Sequence, residues 1–136
     1  MDYTVFSTEF PDVKVFYNEP LKNYTFTKTG GRAAILIFPK DKKEASAVMH
    51  WLREHNIPTT ILGNASNVII KDGGISGAVI MLNDMSHLTV SDTQIVAEGG
   101  VALIDVSKEA AKNGLTGLEF ACGIPGSVGG AIFMNA

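Results

Sequence analysis

Two stretches of this 136-residue chain hold the residue types that cradle a phosphate or lie along a flat ligand. The first is Leu62-Gly63-Asn64-Ala65-Ser66-Asn67, a small polar turn between the apolar residues Ile61-Leu62 and Val68-Ile69-Ile70. Successive backbone N–H groups in such a turn form a nest for an anion. Gly63 lets a backbone come close to a phosphate, and Ser66 and Asn67 carry side-chain donors. The same residues also suit an ordinary tight turn, and both readings stand at this point. The fingerprint G-x-G-x-x-G is absent, which excludes the usual dinucleotide-binding turn. The second stretch runs from Gly114 to Ala131 and holds six glycines in eighteen residues with Glu119 as its one charge. That composition indicates backbone packed against something flat or against another backbone. A helix opening after Gly126 with Ser127 as its N-cap would expose unpaired N–H groups. A glycine-rich core crossing explains the pattern equally well.

Other reactive side chains read as structural. Cys122 sits among Ala121, Gly123 and Ile124 with no base nearby in sequence, which suits a buried, inert thiol. His50, His55 and His87 lack metal-ligand spacing, and no metal site is expected. His55 fits a helix C-terminus, and Trp51 a half-buried helix anchor. Asp72, Asp84 and Asp92 fall in turns, and Lys40, Lys42 and Lys43 at a solvated helix start. Glu119 pairs with a backbone donor or faces a ligand.

The elements that position the two stretches follow from periodicity. The run Ala33–Phe38 is continuously apolar and predicts a strand buried on both faces. Asp41 and Glu44 form a capping box ahead of Ala45, Val48, Met49 and Leu52, so a helix is expected over 41–55. Thr59–Leu62 is the next strand, and strand–helix–strand predicts a parallel pair. Further strands are expected at 68–70 and 78–82. A hairpin is expected at 88–90 and 94–97, a second helix over 102–113, and a short third helix after Ser127. Residues 24–29 are rich in strand formers and stop at Gly30-Gly31. Residues 1–23 read as a lead-in, 24–83 as a first α/β lobe, and 84–136 as a second lobe.

Composition narrows the function. Hydrophobic residues make up 46% and the net charge is −3, which fits a globular chain and offers no basic excess for nucleic acid. Apolar runs are too short to span a bilayer, and the N-terminus from Met1 to Phe6 has no signal layout. A single cysteine excludes an internal disulfide and fits a reducing cytoplasm. The apolar ending Phe133-Met134-Asn135-Ala136 suggests a piece of a longer protein.

Lys28-Thr29-Gly30-Gly31, Leu62–Asn67, Asp72-Gly73-Gly74 and the block Gly117–Ala131 with Met134-Asn135-Ala136 together resemble the N-terminal part of the UDP-N-acetylenolpyruvoylglucosamine reductase family. The resemblance runs from about residue 19 to the end. It implies an α+β, two-lobed FAD-binding domain of the vanillyl-alcohol-oxidase type, incomplete at its C-terminus. It implies a cytoplasmic flavoenzyme that uses NADPH to reduce a UDP-sugar enolpyruvyl ether for peptidoglycan synthesis. It places the FAD pyrophosphate on Leu62, Gly63, Asn64, Ala65, Ser66 and Asn67. The ribityl chain and isoalloxazine fall along Gly123, Ile124, Pro125, Gly126, Ser127, Gly129, Gly130 and Ala131, and Gly30 and Gly31 near the cofactor. The family's catalytic Arg, Ser and Glu match no residue here, so no catalytic residue is assigned and the chain alone is expected to be inactive. The alternatives are a flavin- or nucleotide-binding module without turnover, or a fragment with an empty site. One departure is Ala65 where the family has Gly. If that position needs a positive φ, Ala costs about 1 kcal/mol.

Overall fold

The computed structural model describes residues 3–136, and Met1 and Asp2, where the N-terminal reading begins, lie outside it. Its first lobe is a four-stranded sheet. The strands are β1 (Lys14–Pro20), β2 (Arg32–Phe38), β3 (Thr59–Leu62) and β4 (Ile75–Met81), in the order β1-β2-β4-β3. β1 runs antiparallel to β2, while β2 and β3 both run parallel to β4.

Apolar runs dictate this order. β2 and β4 are almost wholly buried, so they occupy the centre. β3 has four residues and one buried side chain, and it takes an edge. The expected direct pairing of the strands at 33–38 and 59–62 is therefore corrected: β4 lies between them. β4 also begins three residues earlier than its apolar run suggests. Ile35, Ile37, Ala78 and Ile80 face one side of the sheet, with Val48 and Leu52. Leu36, Phe38, Val79 and Met81 face the other, with Leu21, Leu62 and Ile70. Ala33 breaks the alternation, because the register with β4 shifts between Ala33 and Ile35.

Helix α1 (Thr4–Glu9) and helix α2 (Lys42–Glu54) supply the cover on the first side. Asp41 Oδ1 accepts the Glu44 N–H at 2.8 Å, and Glu44 Oε2 accepts the Lys40 N–H at 2.9 Å. This is the anticipated capping box, closed one residue further out. The Glu44 carboxylate also bonds Lys40 Nζ and so raises that ammonium's pKa. Trp51 stands edge-on to Phe6, with ring centroids 5.4 Å apart, as a helix anchor should.

Two expected strands are absent. Residues 24–29 form turns, because Thr25 Oγ1 donates to Thr29 O (2.7 Å) and Lys28 N–H to Thr25 O (3.2 Å). Local threonine bonds displace a ladder here. In the same segment Tyr24 has its phenol pKa raised, first by burial and then by its hydrogen bond to Glu19. Residues 68–70 join no ladder, since β2 and β3 already flank β4; Ile70 packs into the core without one.

The second lobe starts with a hairpin, β5 (Leu88–Ser91) and β6 (Gln94–Ala97), turned by Asp92 at φ +51° and Thr93. Helix α3 (Leu103–Lys112) follows and stops at Gly114, φ +67°. On its last turn Lys112 bonds Glu109 and lowers that carboxyl's pKa. Helix α4 (Val128–Met134) starts at Ser127, as the sequence indicates.

Candidate functional site at the carboxyl edge of the sheet

The pairing of Leu62 with Met81 fixes Gly63 to Asn67 at the C-terminal ends of β3 and β4. That is the edge where open α/β sheets bind ligands. The Gly123–Ala131 segment meets the loop there. Ser66 Oγ donates to Pro125 O at 3.1 Å, across 59 residues of sequence. On the other side, Ser127 Oγ fills the place of a Gly63 side chain: a Cβ on Gly63 would lie 2.0 Å from it. Ser127 itself is buried.

The loop is rich in uncommitted donors. Among the described residues, the backbone N–H groups of Asn64, Ala65, Ser66 and Asn67 donate to no protein acceptor. The Asn64 and Asn67 side chains are exposed. Ala65 is buried at φ +51°, the left-handed conformation that the nest requires of it. Its carbonyl is bonded by the Phe26 N–H at 3.3 Å, which ties the 24–29 turns to the loop.

The start of α4 behaves differently from the sequence-based expectation. Its first N–H groups are spent inside the protein. Val128 donates to Val101 O (2.8 Å), Gly129 to Gly99 O (2.8 Å) and Gly130 to Ser127 Oγ (3.3 Å). So α4 packs against 99–101 and offers no open donor set at these three positions. Gly99 is a residue of this cluster that the sequence analysis does not single out. The signal was present in the Gly-Gly pair followed by Val101, since a Cβ on Gly129 would stand 3.0 Å from Gly99 O.

Gly30 and Gly31 are not in this cluster. Arg32 pairs with Pro20 and Ala33 with Ile75, so both glycines lie at the opposite edge of the sheet. The turn that leads into Gly30 is nevertheless tied to the loop, through Thr25 Oγ1 on Thr29 O and Phe26 N–H on Ala65 O. At the opposite edge the Gly31 N–H bonds Lys71 O (3.0 Å), and a Cβ on Gly31 would sit 2.0 Å from Asp72 O. The pair serves backbone packing and lines a separate open cavity of about 580 Å³ with Lys22, Arg32 and Asp72.

The remaining candidates resolve individually. Glu119 Oε2 accepts the Gly117 N–H at 2.8 Å, the backbone-paired role. Cys122 is exposed, not buried: the 3-10 turn Glu119–Gly123 turns Ala121 inward and leaves its neighbour outside. His55 caps α2, with Nδ1 2.8 Å from Trp51 O. Among the described residues no three His, Cys, Asp or Glu gather as a metal site, and no helix is long and apolar enough to cross a membrane.

A lobe with a mixed sheet whose inner pairs are parallel, a donor-rich loop at its carboxyl edge and a glycine-rich segment of a second lobe against that loop are the parts of a nucleotide-cofactor module. The family model for the FAD binding domain matches residues 33–136, and the chain belongs to that family. More particularly, it is 52% identical to the UDP-N-acetylenolpyruvoylglucosamine reductase of Staphylococcus aureus (strain JH9) over 134 residues. That match takes in 98% of this chain and 44% of the relative, so the chain spans less than half the length of the curated relatives it matches. The crystal structure of UDP-N-acetylenolpyruvylglucosamine reductase from Thermus caldophilus aligns with TM-score 0.69 and 34% identity, covering 91% of this chain and 42% of that one. Cholesterol oxidase from Brevibacterium sterolicum shares the fold at 16% identity (TM-score 0.67, 93% of this chain and 25% of that one). The fold is thus that of the vanillyl-alcohol-oxidase type flavoproteins, and FAD is the cofactor of the family.

Proposed function

We propose that the chain forms the flavin-binding part of an NADPH-dependent reductase whose substrate is a UDP-sugar enolpyruvyl ether, working in the cytoplasm in peptidoglycan synthesis. The observation that carries this reading is the donor set of Asn64–Asn67, held at the carboxyl edge of the sheet by Ser66 and Ser127. It fits a diphosphate: the donors are backbone N–H groups, and neither segment holds a lysine or arginine. Leu62 to Asn67 would hold the pyrophosphate. Gly123 to Gly126, Ser127 and Gly129 to Ala131 would lie along the ribityl chain and the ring. When bound, the flavin supplies hydride transfer. The residues of this chain orient it, exclude water from one side and neutralise the diphosphate with N–H dipoles. No residue here is assigned to proton transfer. The two lobes correspond to residues 24–83 and 84–136, with α1 and β1 of the 1–23 lead-in adding to the core and sheet of the first.

Absorbance after gel filtration with added FAD tests the reading. Flavin peaks moving with the protein at near one-to-one are expected. A colourless protein whose melting temperature ignores FAD would remove it.

Ala65 sharpens the test, because its φ is positive. A left-handed non-glycine residue costs ~1–2 kcal/mol. Glycine there would relieve the strain, lose a buried methyl worth ~0.8 kcal/mol and gain unfolded-state freedom worth ~0.4–1 kcal/mol. The terms nearly cancel for folding, so the melting temperature of Ala65→Gly should move by only a few degrees. Binding tests a separate question, whether the Cβ stands in the way of an arriving phosphate. FAD titration should show Ala65→Gly binding about fivefold tighter; equal or weaker binding would show that the methyl does not obstruct the nest.

A further inference from the structure

The two segments interlock reciprocally. Ser127 of the second stands on Gly63 of the first, and Ser66 of the first stands on Pro125-Gly126 of the second. A Cβ on Gly126 would lie 3.5 Å from Ser66 Oγ, an ordinary contact, so the hydroxyl rests directly over that glycine. The Ser66 proton is committed to the Pro125 carbonyl rather than to the open side of the loop. Beyond Pro125, the backbone hydrogen bonds run to the second lobe: Leu103 N–H donates to Gly126 O (2.9 Å), Val128 N–H to Val101 O and Gly129 N–H to Gly99 O. Ser66 therefore joins two bodies whose other bonds near the site are internal to each.

We infer that Ser66 is a positioning residue: by bonding Pro125 O it sets the gap between the donor loop and the glycine-rich segment before any cofactor arrives. Its hydroxyl acts through the second lobe, and diphosphate recognition falls to the backbone N–H groups of 64–67. This rests on the flavin-site reading only where affinity is concerned; the latch itself is a property of the free chain.

Amide hydrogen exchange of the ligand-free chain tests it. The amides of Leu103, Val128 and Gly129 report the segment that Ser66 holds. In Ser66→Ala, loss of one hydrogen bond should speed their exchange about fivefold. The amides of Ile35 to Ile37, in the first-lobe core, should not change. Ser66→Thr keeps the hydroxyl and should restore slow exchange. FAD titration of the same variants should show about fivefold weaker binding for alanine and recovery with threonine. Unchanged exchange in Ser66→Ala overturns the latch; faster exchange with undiminished FAD affinity leaves the latch but overturns its role in positioning the cofactor site. If the wild-type chain binds no FAD, the flavin reading fails, and exchange still decides whether Ser66 joins the lobes.

Discussion

Truncating Phe6 to alanine should cost the chain about 3–5 kcal/mol, enough to lower its melting temperature by roughly 10–20 °C. The ring is fully buried on α1, 4.9 Å from Phe10 and 5.4 Å from Trp51 between centroids. It closes the same core face as Ile35, Ile37, Val48, Leu52 and Ile80. No neighbour can easily fill the space, because Trp51 is fixed by α2 and also meets Phe10 at 6.3 Å. The cost should therefore include the cavity as well as the lost transfer energy. Val5, on the same short helix but half exposed, is the control: Val5→Ala should change stability by less than about 0.5 kcal/mol. Urea unfolding measures both. A Phe6→Ala loss below about 1 kcal/mol would mean that α1 does not dock on the sheet in solution.

That prediction concerns a region the sequence barely marks. α1 has six residues and no side-chain cap, so neither periodicity nor a start signal distinguishes it. α2 was legible because Asp41 and Glu44 are local signals, and local signals do not depend on what packs above them. The order of the strands was not legible. Ala33–Phe38 and the residues near Ala78 both announce burial, yet only the assembled sheet shows that β4 separates β2 from β3. Residues 24–29 misled because threonine favours strands by packing and turns by hydrogen bonding, and the latter prevailed. The candidate site was legible in part for a similar reason. Gly63–Asn67 and Ser127 were found by composition. Gly30-Gly31 has the same composition but answers a different demand: a side chain at Gly31 would strike the Asp72 carbonyl, whereas one at Gly63 would strike Ser127. Sequence names the glycine, and only the neighbour tells whether it admits a backbone or holds two lobes together. The α4 start shows the converse. Its Ser127 cap was read from the sequence, while the use of its first donors by Gly99 and Val101 depends on the second lobe's fold.

Gly63→Ala should show the second large effect, and it should fall on both stability and flavin binding. The new methyl would lie 2.0 Å from Ser127 Oγ and 3.1 Å from Ser127 Cβ. Rotating the hydroxyl away relieves only the first contact and forfeits the cap that Gly130 N–H donates to it, worth ~1 kcal/mol. The second contact remains tight unless the segments separate by a few tenths of an ångström. Overpacking of this kind costs ~1–3 kcal/mol. The same separation widens the gap that a bound diphosphate must bridge, so FAD affinity should fall about tenfold or more. A double-mutant cycle isolates the cause. Ser127→Gly alone exchanges one acceptable N-cap for another and destabilises by only roughly a few tenths of a kcal/mol. In Gly63→Ala/Ser127→Gly the methyl has nothing to strike, so the pair should cost at least about 1 kcal/mol less than the two singles added together. Urea unfolding supplies the four free energies. Simple additivity would show that the cost of Gly63→Ala does not come from Ser127, and that the lobes are not spaced by that contact. Coupling confined to unfolding, with FAD affinity untouched, would place the contact in the fold and outside the flavin site.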